Sequence, residues 1–136
     1  MAVNKETYTS PLSSRYASRE MQNLFSEDFK FRTWRRLWVS LARAERMLGL
    51  NITKEQIAEM EAHVNDVNYD VAEARERVVR HDVMSHVYAY GVQCPTAAPI
   101  IHLGASGSFV GDNADVVILR EASKVVLKKA AEVIKN

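Results

Sequence analysis

Cysteine occurs once in the 136 residues, at Cys94. That excludes an intrachain disulfide and a cysteine-based zinc site, and it suits a reducing compartment. Proline and glycine are also scarce, at three and five residues, against an average share of about 12 % for the pair. Neither occurs between Leu12 and Leu48 or between Leu50 and Tyr90, while Gly104, Gly107 and Gly111 crowd into one short stretch. Long uninterrupted segments around one glycine-rich loop predict an all-helical chain. An excess of one charge sign is lacking too. The formal net charge is +1, which gives no ground for nucleic acid or an anionic membrane as partner. No apolar run approaches the roughly 18 residues that span a bilayer, and residues 1–15 hold no apolar stretch of a secretory signal. The cytosol (a cytoplasmic location) is the expected compartment. With 47 % apolar and 26 % charged residues, the chain has the composition of a folded globular protein and not of a disordered one.

Residues 1–22 read as an irregular arm, polar and broken by Pro11. A strong helix follows. Ser26 is its expected N-cap, Glu27 and Asp28 suit the positive end of the helix dipole, and Gly49 is its expected stop. Trp34, Leu37, Trp38, Leu41 and Leu48 form one apolar stripe at three- and four-residue steps. Arg32, Arg35, Arg36, Arg43 and Arg46, interleaved with Glu45, read as a solvated face. Thr53 and Gln56 predict a capping box for a shorter helix carrying Ile57, Met60 and Val64. A third helix is expected over 69–79 with Val71, Ala74 and Val78 inward. A fourth is expected over 83–92 with Val83, Val87 and Tyr90 on one face, ended by Cys94-Pro95. From Gly111 or Asp112 a long helix should run to the end. Its apolar positions, Leu119, Val126, Leu127, Ala130, Val133 and Ile134, do not fade before Asn136, and the expectation is that this helix continues in a longer protein.

Three segments hold residues suited to chemistry. His81, Asp82, His86 and His102 invite a metal site, but the helical step between His81 and His86 turns them about 140° apart. Asp82 and His86 alone make a poor ligand set, so no metal is expected, and His86 reads as a helix-surface or partly buried ring bonded to Asp82. Arg80-His81-Asp82 sits at a helix break, where unpaired backbone N–H groups and a guanidinium fork can receive a carboxylate or phosphate. The alternative is that Asp82 merely caps the next helix. Leu103-Gly-Ala-Ser-Gly-Ser108 precedes a helix. Its small residues let an anion approach the backbone, although an ordinary turn has the same composition.

The run from Tyr8 through Ser10-Pro11-Leu12 to Ser14-Arg15-Tyr16-Ala17-Ser18 resembles the N-terminal arm of the adenylosuccinate lyases in their animal form, as does Lys30-Phe-Arg-Thr-Trp-Arg35. Arg80-His-Asp-Val-Met-Ser-His86 is similar to the first substrate-binding signature of that family. Ile101-His-Leu-Gly-Ala-Ser106, continuing to Val110-Gly-Asp-Asn113, is similar to the second. The blocks occur in the family's order and reach from Tyr8 to Arg120. The wider fumarase/aspartase superfamily shares the glycine loop and the HD-type segment; the Arg-Tyr arm and the Arg-His-Asp triplet favour the adenylosuccinate branch.

The resemblance implies an all-α fold: an arm over 1–25, the helical N-terminal domain of the fumarase/aspartase fold over 26–111, and the first part of a long central-bundle helix over 112–136. It implies a β-elimination. A base removes a proton beside a succinyl carboxylate, the carbanion expels the amino nitrogen, and a general acid protonates that nitrogen. Adenylosuccinate then gives AMP and fumarate, and the succinyl carboxamide ribotide (SAICAR) gives AICAR and fumarate, with no cofactor. Arg15 and Tyr16, then Arg80, His81 and Asp82, then Ser106 and Gly107 are the implied substrate contacts. Gly107 stands where the family usually has a serine, so its contact is carried by the main chain or taken over by Ser108. The family's acid histidine and base serine lie in later segments, so this chain alone is expected to be inactive. The family's homotetramer builds each active site from three subunits. Two other readings compete: a lyase of the argininosuccinate or fumarase type, and a non-catalytic helical interaction module.

Overall fold

The computed structural model describes residues 6–135. The expectations for residues 1–5 of the arm and for Asn136 lie outside them. A π-helical turn, Leu12–Tyr16, leads into six α-helices: α1 (Arg19–Leu24), α2 (Glu27–Met47), α3 (Lys54–Ala62), α4 (Tyr69–Val79), α5 (Asp82–Gln93) and α6 (Gly107–Lys135). A 3-10 turn, Ala98–Ile100, stands between the last two. There is no strand among the described residues, as the scarcity of glycine and proline predicts.

The caps of α2 and α3 are those the sequence announces. Ser26 accepts the N–H of Phe29 at the start of α2, and Gly49 turns left-handed, φ 94°, just past its end. Thr53 and Gln56 exchange both hydrogen bonds of a capping box. The core forms where α2 meets α3 and α6 and where its Trp34 and Trp38 meet His86 and Tyr90 of α5. Trp34, Trp38, Met60, Tyr90, Cys94 and Val110 are its most enclosed side chains. Small residues allow close approach at the crossings. A methyl group on Gly91 would stand 3.2 Å from the Ala98 side chain, so α5 and the 3-10 turn touch there.

Four expectations are corrected. The arm is not irregular: Ser18 caps α1 by accepting the N–H of Met21, and α1 packs on α2 and α6. Its apolar residues Met21, Leu24 and Phe25 straddle the point where the polar stretch gives way, so the local composition conceals them. Arg35 is not solvated but 1 % exposed. Its guanidinium donates to the His63 carbonyl and to Gln93 Oε1 and lies 4.3 Å from the centre of the Tyr90 ring, which satisfies a charge that would otherwise be costly to bury. On α4 the buried residue is Ala72, whereas Ala74 is exposed and Val78 is 73 % exposed. α4 packs chiefly on α5, and its smallest inward side chain lets that neighbour approach. Finally, α6 starts at Gly107, earlier than Gly111. Burial of Val110 and Ala114 on the core side draws the glycine-bearing segment into the helix. At about 1.5 Å per residue its 29 residues span about 43 Å. The buried line is Val110, Ala114, Ile118 and Ala122, while Leu119, Val126, Leu127, Val133 and Ile134 are exposed.

Candidate functional site

The break between α4 and α5 is built by Arg80 and His81. Arg80 closes α4 in the left-handed region, φ 54°, with its N–H donating to the Glu76 carbonyl. His81 then swings into extended backbone and caps α5: its Nδ1 accepts the N–H of Met84 at 3.3 Å. Its carbonyl accepts from the Ser85 hydroxyl at 2.7 Å. Because a backbone N–H only donates, Nδ1 is bare and the neutral ring carries its proton on Nε2. His81, not Asp82, is therefore the cap. Asp82 Oδ1 accepts the N–H of Val83 at 2.8 Å, in the first turn of α5, where a carboxylate also meets the positive end of the helix dipole.

The imidazole of His81 faces the start of α6. A side chain on Gly107 would begin 3.7 Å from His81 Cε1 and 4.0 Å from its Nε2, with Val83 Cγ2 at 3.9 Å. Gly107 thus leaves open a space bounded by an imidazole edge and the first turn of α6, whose leading N–H groups have no acceptor within the helix. Ser106 is exposed just ahead of it, its carbonyl accepting from Phe109. An imidazole N–H, a hydroxyl and helix-terminal N–H groups together form a donor set suited to a carboxylate or phosphate oxygen.

The expected contacts therefore fall into three places. The His81 ring faces the open side of Gly107, with Ser106 just ahead in the chain. Arg80 borders a shallow cleft with Glu73, Glu76 and Arg77 on the outer face of α4. Arg15 and Tyr16 lie elsewhere, the guanidinium 5.7 Å from the centre of the Tyr16 ring. Tyr16 lines a groove with Met21, Phe25, Val125 and Lys129, and Val125 is about 27 Å along α6 from Gly107. One chain does not bring these sets together.

His86 is buried, not surface-bonded to Asp82; no hydrogen bond joins them. His102, which the sequence offers only as a candidate metal ligand, lies close enough to His81 to feel its charge. It has a left-handed backbone, φ 65°, accepts the indole N–H of Trp38 at 2.9 Å, and has its pKa lowered by burial and by nearby His81.

No family model matches the chain. Its sequence is 50 % identical over 129 residues to the adenylosuccinate lyase of Schistosoma mansoni. It is 50 % identical over 132 residues to that of Saccharomyces cerevisiae. These matches cover 95 % of this chain but 27 % of each relative. A bacterial counterpart from Aquifex aeolicus is 29 % identical over 124 residues. The chain spans about a quarter of the length of the relatives it matches, and over that stretch it is similar to adenylosuccinate lyases.

Proposed function

We propose that this chain supplies substrate-binding residues to a lyase that releases fumarate from adenylosuccinate, and from SAICAR, by β-elimination. The observation that carries the reading is that the side-chain position left empty by Gly107 opens onto the His81 ring, which sets two separate blocks of the family resemblance beside one donor-lined space. In that role His81 Nε2–H and the N–H groups at the start of α6 hold an anionic oxygen of the substrate, and the Ser106 hydroxyl adds a donor. Negative charge develops on the succinyl carboxylate as the proton leaves, so fixed donors there favour the transition state. Asp82 keeps the start of α5 in register, and Arg80 offers a guanidinium from the rim. Arg15 and Tyr16 bind nucleotide at a site completed by another copy, since within one chain they stand at the far end of α6.

The same reading divides the chain into an arm (1–25), a helical N-terminal domain (26–111) and part of a central-bundle helix (112–136), with α6 straddling the last division. It takes the assembly as a homo-oligomer, a tetramer, located in the cytoplasm. The acid and base that move protons lie outside these residues, so the isolated chain has no lyase activity. The test replaces the matching quarter of the Saccharomyces cerevisiae enzyme with this chain and follows adenylosuccinate loss by ultraviolet absorbance. Turnover within about tenfold of the parent enzyme is expected, a barrier change of about 1.4 kcal/mol or less. A folded chimaera without turnover contradicts the reading.

A further inference from the structure

The strap between the 3-10 turn and α6 holds two left-handed residues, His102 and Gly104, each with φ 65°. Glycine adopts that backbone freely. Histidine does not, and a side-chain-bearing residue stays there only when its surroundings over-determine it. For His102 the restraint is Trp38. The indole N–H donates to His102 Nδ1 at 2.9 Å, and the rings meet edge to face, 6.0 Å between centroids at 88°. Trp38 is 1 % exposed and wedged between Trp34 and Tyr90. Without His102 its N–H would be a buried donor lacking an acceptor. Each residue thus removes the other's penalty. Because an indole only donates, His102 Nδ1 is bare and the neutral ring is protonated on Nε2. Burial, with His81 nearby, lowers the His102 pKa and favours that neutral ring.

We propose that Trp38 is a positioning residue: its indole N–H latches His102 in the left-handed conformation and so sets where the strap delivers Ser106 and Gly107 against His81. The functional meaning of this latch rests on the proposed substrate pocket. Its geometry can be read without turnover.

The test is NMR on the 136-residue chain with labelled histidine and glycine. The parent should show His102 in the Nε2-protonated tautomer and a cross-peak between the Gly107 Hα and the His81 Hε1. Trp38→Phe keeps a large ring and removes the donor. The expected result is loss of the single tautomer and of the Gly107–His81 cross-peak, while contacts between Phe31 and Trp34 persist. A core tryptophan replacement can unfold a chain, so a second pair acts from the other end. His102→Asn keeps an acceptor one bond from Cγ and tolerates the left-handed region; it should retain the cross-peak. His102→Leu has neither property and should lose it. A cross-peak of parental strength in Trp38→Phe or His102→Leu, or its loss in His102→Asn, overturns the latch. An inactive chimaera with these spectra as expected would remove the lyase reading and leave the latch standing.

Discussion

The imidazole of His86 lies flat against the ring of Phe31, with centroids 3.7 Å apart and planes 18° from parallel. Trp34 closes on it edge-on at 5.6 Å, and the residue is 5 % exposed. Burial, with the charges of Arg35 and Lys30 acting in the same sense against that of Asp82, pushes its pKa down to about 4 from an ordinary 6.5. Between those values the unfolded chain binds a proton that the folded chain refuses. Stability is therefore fully present above about pH 6.5 and falls as the pH drops towards 4. The shift corresponds to about 3 kcal/mol over that window. Urea unfolding at about pH 7 and about pH 4.5 should show most of this loss, and His86→Phe should flatten the slope. A midpoint that does not fall with acid in the parent contradicts this account.

Arg35 is expected to be structural. Arg35→Ala leaves the half-buried His63 carbonyl and Gln93 Oε1 without their guanidinium donor, empties a buried site and removes the contact with Tyr90. The expected cost is about 3 kcal/mol, and Arg35→Lys should recover less than half of it because an ammonium cannot reach both acceptors in a fork. Chemical denaturation measures both. A change below about 0.5 kcal/mol for Arg35→Ala would return Arg35 to the solvated face on which its spacing places it.

Local signals carried much of this fold. Ser26, Gly49, Thr53 and Gln56 act through neighbours within a few residues, so their roles can be read without a tertiary structure. What could not be read depends on distant partners. Arg35 looks like its neighbours Arg32 and Arg36 until His63 and Gln93 close around it. The inward line of α4 is set by where α5 lies, and the early start of α6 by the burial of Val110. At the site, the helix break at Arg80–Asp82 was legible from the broken apolar period. That its histidine would face Gly107, and that Trp38 would hold His102, depend on contacts remote in sequence.

Gly107 offers a direct probe of the open space. It lacks a left-handed φ, and a methyl group there would make ordinary contacts. Gly107→Ser should therefore fold with a change of no more than about 0.5 kcal/mol and, in the chimaera, leave KM at or below the parent's. Gly107→Leu fills the space beside His81 and should raise KM at least about tenfold, the equivalent of about 1.4 kcal/mol of binding. An unchanged KM for Gly107→Leu would show that substrate does not occupy this space.

The distal part of α6 exposes Val126, Leu127, Val133 and Ile134. A contiguous apolar face of this kind tends to find a partner, and burying each such side chain contributes roughly 1.5–3 kcal/mol. The chain should therefore self-associate in sedimentation, and Leu127→Glu with Ile134→Glu should return it to a monomer. A parent chain that sediments as a monomer while its distal α6 amides resist hydrogen exchange contradicts this.

The central claim, that His81 presents a donor to the substrate across from Gly107, is tested most directly by kcat/KM of the chimaera carrying His81→Ala, measured beside its melting temperature. Loss of one charge-assisted hydrogen bond, worth roughly 1.5–3 kcal/mol, predicts a fall of at least about tenfold, beside the modest drop in melting that loss of the α5 cap, about 1 kcal/mol, brings. Retained kcat/KM together with a lowered melting temperature would make His81 only the cap of α5 and would contradict the claim.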